Sequence, residues 1–360
     1  MLLMTRKLLV ILACFVGLTA PRALHACAVC VELPEASIAD HILSAEVIVL
    51  AGAAPDNPFR FSVQKILRGT EGQLETIPEI PFLIDSVTRR AFHSDPTKTV
   101  LLTYGAIYKD STGRSFSRGW KRIFTMNPER IEFVERLRPL GVHWIFGATD
   151  TPDRVSFFAE YLWHPDHVLH NIAMIEIGRA PYDLVRPIGD RVSTRRIMEE
   201  FNNLNRFRYV PVAIRLLGLQ TDPQAVSIVR SRFAKTLKAG GPNTFEWALA
   251  GIETDGASAI RAIGRVIQDS ETKLEHRQSL IRALSEAGTV QPKHRDEILG
   301  IFSEALGKDP RLAIRIAVAA RNWGQTGLHP LFEAIAAKDE TDPATQFVLN
   351  LVLGSQVRFD

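Results

Sequence analysis

The spacing of apolar residues changes along the chain and divides it into two parts. Up to about residue 126, apolar and polar positions alternate in short runs separated by turn-forming residues. Phe59, Phe61, Val63 and Lys65 show this period of two, which predicts a strand with one face buried. From about residue 153 the apolar positions recur with helical spacing. The pattern predicts a multi-domain α+β fold, in which a small β-rich domain precedes a larger helical one.

The β-rich domain is predicted to contain five strands. They lie at residues 45–52, 59–67, 79–84, 99–108 and 120–126. A short helix is predicted over residues 36–43. A second helix begins after Asn127, because this residue can act as an N-cap and Pro128 suits the first helical position.

Six apolar runs in the helical part each end at a glycine. They end at Gly178, Gly218, Gly251, Gly288, Gly324 and Gly354, which are 40, 33, 37, 36 and 30 residues apart. We expect each glycine to adopt the left-handed conformation that stops a helix. Pro-Asp or Asp-Pro pairs occupy several connections, at Asp166, Asp222, Asp309 and Asp342. This period is typical of stacked helical hairpins, which bury apolar faces that a single hairpin leaves exposed.

Residues 153–360 resemble the HEAT-like helical-repeat proteins. The resemblance is clearest over residues 161–173, where a first helix, a Pro-Asp turn at Asp166 and a second helix follow one another. It implies an α-solenoid of helical hairpins whose surface binds other proteins, and it implies no chemistry. Residues 186–206 fit no repeat, so the number of repeats stays open.

The first domain, residues 27–140, resembles the netrin-like OB barrels of metalloprotease inhibitors. The shared features are a cysteine pair at the predicted mature N-terminus, a strand over residues 45–51 and a second strand that ends at Gly69. The resemblance implies a small, OB-like β-barrel. The chain lacks the further cysteines of that family, so protease inhibition is not carried over. Residues 141–152 are predicted to link this domain to the helical one.

Residues 1–26 are predicted to be a cleavable signal peptide. Arg6 and Lys7 precede an uncharged apolar run of 13 residues, 8–20. That run is shorter than the roughly 20 residues of a membrane-spanning helix, so an uncleaved anchor is the less favoured alternative. The mature protein is therefore expected to be exported, to be periplasmic or secreted, and to have no membrane span.

The cleavage site decides how the mature chain begins. Cleavage after Ala26 leaves Cys27 as the first residue, and cleavage after Ala28 is an alternative. Residues 24–27 also resemble a lipobox. A lipoprotein tethered to a membrane by a lipid anchor at Cys27 therefore stays a further alternative.

Removal of the signal peptide makes the chain electrically neutral. The whole chain has 43 basic and 40 acidic residues, and the predicted signal peptide holds three basic residues and no acidic one. The remaining residues, 40 of each sign, create no global field for polyanions. No nucleic-acid partner is therefore expected.

Cys27 and Cys30 are predicted to form a disulfide, because an oxidising compartment favours closure of such a pair. The alternative is a redox or metal-handling module that uses the same two thiols. Reactive cysteine pairs owe their low thiol pKa to a helix N-terminus. Here Glu32 and Pro34 follow instead, and they do not favour an immediate helix start.

Three histidines, His164, His167 and His170, have a spacing that can converge on zinc. Pro165 pushes His164 out of the helical region, however, and a separation of six residues places His164 and His170 far apart around a helix. The segment is therefore predicted to be a structural turn, with Asp166 as the N-cap of the next helix. Acid pairs such as Glu199-Glu200 are expected to solvate helix faces.

No recognised catalytic, phosphate-binding or calcium-binding motif occurs in the sequence. We therefore predict no catalytic, cofactor-binding or metal-binding residue and no cofactor. The expected function is that of an exported, non-enzymatic protein-binding or scaffold protein, which acts through its helical-repeat surface on a protein partner. Two alternatives remain: an envelope enzyme with a site in the β-rich domain or at its junction with the repeats, and the redox or metal-handling module at Cys27 and Cys30.

Overall fold

The computed structural model describes residues 33–34, 36–108, 116–142, 144 and 151–354. Within these residues the chain forms 17 α-helices and one four-stranded antiparallel sheet, which lies towards the N-terminal end. The predicted order of a small β-rich part followed by a larger helical part is confirmed.

The sheet is built from four strands and is open at both edges within the described residues. The strands are β1 (Val47–Ala53), β2 (Phe61–Arg68), β3 (Val100–Tyr108) and β4 (Phe116–Thr125). Their order is β2-β1-β3-β4, so β2 and β4 are the edges and do not pair with each other. The OB-like barrel is therefore not confirmed. The strand predicted at residues 79–84 is wrong, because this segment contributes only a single bridge between Leu83 and Arg60.

Four helices surround the sheet. They are α1 (Ile38–Leu43), α2 (Glu71–Thr76), α3 (Ser86–Ser94) and α4 (Pro128–Leu137). Ile48 packs in one hydrophobic cluster with α1 and α4, whereas its neighbours Val47 and Val49 pack in a second cluster with Phe92 of α3. Alternate residues of β1 thus face opposite layers, which explains why the strand is apolar on both sides. The predicted N-cap Asn127 is confirmed, since its side chain accepts the Arg130 N–H at 2.8 Å.

The helical part alternates between two series of helices. The first series is α6 (His167–Arg179), α9 (Val210–Gly218), α11 (Thr244–Asp255), α13 (Leu274–Val290), α15 (Ala313–Asn322) and α17 (Pro343–Gly354). The second is α5 (Pro152–Ala159), α8 (Thr194–Phe201), α10 (Pro223–Ala239), α12 (Ala257–Gln268), α14 (Arg295–Lys308) and α16 (His329–Ala336). The short helix α7 (Tyr182–Val185) lies between α6 and α8. Each helix of the first series contacts the next one in that series, and α10, α12, α14 and α16 do the same in the second.

The predicted role of the six glycines is wrong for most of them. All six lie in described residues, and only Gly324 has a positive φ, of 64°. The others are close-contact positions or end their helices without a left-handed turn. A Cβ on Gly218 would lie 2.6 Å from Ala250 Cα of the next helix in the series, and one on Gly288 would meet the Trp323 ring. The repeated glycines thus let neighbouring helices approach closely.

The aspartates predicted in the connections do cap the elements that follow them. Asp166 accepts the N–H of Val168 at 2.8 Å, and Asp222 accepts that of Ala225 at 3.1 Å. Asp342 likewise accepts the Thr345 N–H at 3.0 Å. Asp309 caps a 3₁₀ turn rather than an α-helix. These caps satisfy N–H groups that have no partner inside the helix.

Candidate functional site

Cys27 and Cys30 lie outside the described residues, as does the whole of the predicted signal peptide. The disulfide, the lipid anchor and export therefore stay predictions. No helix in the described part of the chain is long and apolar enough to cross a membrane.

The three histidines have separate partners. His164 accepts the Asp166 N–H at its Nδ1 atom at 3.1 Å, and His167 is exposed at the start of α6. His170 is buried, with one ring nitrogen at the Leu162 carbonyl and the other 3.0 Å from Glu200 Oε1. Within residues 36–108, 116–142 and 151–354 no group of three or more His, Cys, Asp or Glu side chains is arranged to hold a metal ion. The segment forms the predicted turn.

Glu200 corrects the prediction that the acid pair Glu199-Glu200 solvates a helix face. Glu199 is exposed and pairs with Arg196 at 3.3 Å, as expected. Glu200 is buried and accepts a hydrogen bond from Arg206 Nε at 2.8 Å as well as contacting His170. Burial raises the pKa of Glu200, but the bonds to His170 and Arg206 outweigh it and lower the pKa overall. The carboxylate is therefore a structural anchor between α8 and α6.

A cluster of buried charges joins the sheet region to the helical region. Asp40 of α1 lies 2.5 Å from Arg154 Nη2 of α5 and 2.6 Å from Arg179 Nη1 of α6. Arg154 also donates from Nε to Glu176 Oε2 of α6 at 2.9 Å, and Ser37 Oγ donates to Glu176. The side chains of Asp40, Arg154 and Glu176 are at most 2% exposed. We call these five residues the junction cluster.

The two carboxyl groups of the junction cluster respond differently to their surroundings. Burial raises the pKa of Asp40, but the charges of Arg154 and Arg179 more than offset this and lower it overall. Burial and the nearby charge of Asp40 raise the pKa of Glu176 despite Arg154. Because a substrate does not reach side chains this deeply buried, the perturbed pKa values are explained by a structural role.

A second pair of titratable groups adjoins the junction cluster. Lys121 Nζ of β4 donates to Nε2 of the buried His41 on α1 at 2.8 Å. Burial, together with the charge of Lys121, lowers the pKa of His41 to about 4. Burial also lowers the pKa of Lys121. A neutral His41 is therefore the form that fits this contact.

The exposed face of helices α10 and α12 is strongly basic. Helix α10 contains four cationic residues and α12 contains two, and neither helix contains an acidic residue. The six are Arg230, Arg232, Lys235, Lys238, Arg261 and Arg265. The two helices contact each other, so these cations lie on adjacent helices of the same series. We call this surface the outer basic face.

Most cations of the outer basic face have no acidic partner among the residues that the structure describes. Arg230 pairs with Asp255 at 2.6 Å, and Arg261 pairs with Glu297 at 3.1 Å. The other four form no ion pair with any side chain that the structure describes. Exposed cations without local partners raise the positive potential of their surface. The overall neutrality of the predicted mature chain hides this local excess.

Comparisons with known proteins give no further guide to the site. No protein-family model, curated protein or solved structure matches the chain. The resemblances to HEAT-like repeats and to netrin-like OB barrels therefore stay expectations.

Proposed function

We propose that this protein is an exported, non-enzymatic scaffold that binds an acidic surface of another protein through the outer basic face. The observation that carries the proposal is the concentration of six cations on α10 and α12, four of them without an acidic partner in the described chain. Complementary charge speeds the encounter of two proteins and rejects partners of the wrong sign. An acidic protein surface is the natural complement.

We also propose that the helical part is a HEAT-like α-solenoid. The two series of helices support this, because successive members contact each other and each hairpin pairs one helix from either series. In such an array the outer helices are half-exposed and present side chains along a continuous surface. The alternation of buried and exposed residues along α12 fits that role.

The rival hypothesis is an enzyme with its site at the junction of the sheet and the helices. Converging titratable groups do occur there, but they belong to the buried junction cluster. The junction cluster therefore supports stability rather than catalysis.

A protein partner is also favoured over nucleic acid, because Asp255 and Glu297 place negative charges at the border of the outer basic face.

The test is a charge reversal in the full-length protein. A photo-crosslinking residue at the exposed Ala234 identifies the partner in the native compartment, and the purified partner is then titrated against variants. We expect Arg232→Glu with Lys235→Glu to weaken binding at least about tenfold, because two attractions become repulsions. The matched control reverses two exposed lysines elsewhere, Lys65→Glu and Lys338→Glu.

Two outcomes would count against the proposal. Equal affinities of the reversed variant and the control would exclude the outer basic face as the binding surface. An intact mass of the native protein that retains residues 1–26 would exclude export. A mass that begins at Cys27 and gains about 2 Da on reduction would support both export and the disulfide with Cys30.

A further inference from the structure

Three large apolar side chains lie exposed on the outer side of the sheet region. Phe59 is 50% exposed, Leu83 71% and Val87 76%. Leu83 lies close to Phe59, because Leu83 bridges Arg60 and the Ile84 N–H donates to the Phe59 carbonyl at 2.9 Å. Val87 follows four residues after Leu83, at the start of α3. Clustered apolar side chains at the surface of a protein mark interaction sites more often than isolated ones do.

A groove opens beside these side chains. Its volume is about 660 Å³, and it runs between the end of β1, the turn at Pro58 and helix α3. Its wall is partly apolar, through Ala53, Pro58 and Phe92, and partly basic, through Arg89, Arg90 and His93. None of the described residues that line it is acidic. The groove therefore combines space for an apolar side chain with a positive rim.

The cations of this rim are available to a ligand. The Arg89 guanidinium stacks 4.6 Å from the centre of the Phe59 ring, and neither Arg89 nor Arg90 forms an ion pair with a described side chain. The carboxylate of Asp85, which precedes α3, is paired with Arg122 at 2.6 Å. It therefore opposes a negatively charged ligand only weakly.

The groove has a firm base. Phe92 of α3 is buried and packs edge-on against Phe61 of β2, with 6.3 Å between the ring centres. Asp85 caps α3 by accepting the Thr88 N–H at 2.8 Å. A site that is already formed loses less conformational entropy when it binds a ligand.

We propose that this surface binds an acidic, apolar segment of a partner protein. The apolar side chains of the segment enter the groove and cover Phe59, Leu83 and Val87, while its carboxylates pair with Arg89 and Arg90. Charge complementarity selects this occupant, because a basic segment would be repelled by the rim. The site is distinct from the outer basic face and does not depend on it.

The test is a titration of the full-length protein with dye-labelled synthetic peptides, followed by fluorescence anisotropy. One peptide alternates glutamate and phenylalanine, a second alternates lysine and phenylalanine, and a third alternates glutamate and serine. The variants are Leu83→Ser with Val87→Ser, and Arg90→Glu. The control, Leu204→Ser with Phe347→Ser, removes two other strongly exposed apolar side chains, at 91% and 69% exposure.

We expect the glutamate–phenylalanine peptide to bind the unaltered protein and the control alike, and each groove variant at least about tenfold more weakly. The other two peptides should also bind at least about tenfold more weakly. The lysine–phenylalanine peptide lacks carboxylates for the arginines, and the glutamate–serine peptide lacks apolar side chains for the groove. Failure of the glutamate–phenylalanine peptide to bind, or equal binding to all variants, would overturn the proposal. Binding of anionic phospholipid vesicles through these residues, without peptide binding, would assign the surface to a membrane instead.

Discussion

The junction between the sheet and the helices is held together differently from the contacts between successive helices. At the junction, Asp40, Arg154 and Glu176 form buried ion pairs between α1, α5 and α6. Between successive helices some of the close contacts are apolar, as where Gly218 of α9 meets Ala250 of α11, and single buried pairs also occur, such as Arg277 with Asp309 at 2.6 Å. Buried charged side chains pair well in only one relative position of the helices that hold them, whereas apolar side chains can pack in slightly different positions. We infer that a network of five polar side chains fixes the unique joint, whereas close apolar packing recurs at the repeated ones.

The largest effect is expected where charge is removed from the junction cluster. Arg154→Met should lower the free energy of unfolding by about 3–5 kcal/mol, because it leaves Asp40 and Glu176 buried without this cation. Urea unfolding measures the change. Arg232→Met on the exposed face of α10 is the matched control, and its effect should stay within about 0.5 kcal/mol.

A second change sharpens the interpretation of the Arg154 result. Adding Glu176→Gln to Arg154→Met should recover part of the lost stability, since Arg179 then faces one buried carboxylate, that of Asp40, instead of two. If Arg154→Met lost less than about 1 kcal/mol, the junction would depend on apolar contacts rather than on its buried charges.

The next effect is a dependence of stability on pH that arises at His41, beside the junction cluster. The pKa of His41 falls to about 4 in the folded protein, against a usual value near 6.5. The unfolded chain thus binds more protons between these values, so the stabilising contribution is complete above pH 6.5 and decreases as the pH falls towards 4. At pH 5 the loss should be about 2 kcal/mol relative to pH 7.

Substituting His41 isolates this contribution. Gln at this position keeps an acceptor for Lys121 but does not titrate, so His41→Gln should remove about 2 kcal/mol from the stability difference between pH 7 and pH 5. Urea unfolding of both proteins at the two pH values measures this difference. An unchanged pH dependence in the variant would show that His41 does not control the acid sensitivity of the junction.

Elements with local signals could be predicted from the sequence. Helix α4 begins directly after Asn127 and helix α6 directly after Asp166, because each N-cap accepts N–H groups within three residues. Helix α2 has a similar signal that was missed, a capping box between Thr70 and Gln73. The outer basic face was also visible, since α10 holds four cations and no acidic residue. Averaging charge over the whole chain concealed it.

Features that depend on distant contacts could not be predicted. Asp40 and Arg154 are 114 residues apart in sequence and meet only because α1 packs against the helical part. The groove near Phe59 likewise depends on the bridge that Leu83 forms with Arg60, just before β2 begins. The glycines are an intermediate case, because their period was recognised but their role depends on which helix lies opposite.

The smallest expected effect tests that role of the glycines. Gly218→Ala should lower the free energy of unfolding by about 1 kcal/mol, because a Cβ would lie 2.6 Å from Ala250 Cα and the two helices would have to separate. The gain in helix propensity, about 0.5–1 kcal/mol, offsets part of this cost.

Gly300→Ala in α14 is the matched control, since its Cβ meets no atom within 4 Å. It should be as stable as the unaltered protein or more stable by up to about 1 kcal/mol. If Gly218→Ala were stabilised equally in urea unfolding, close approach at this joint would be unnecessary, and the proposed contrast between the junction and the helix contacts would fail.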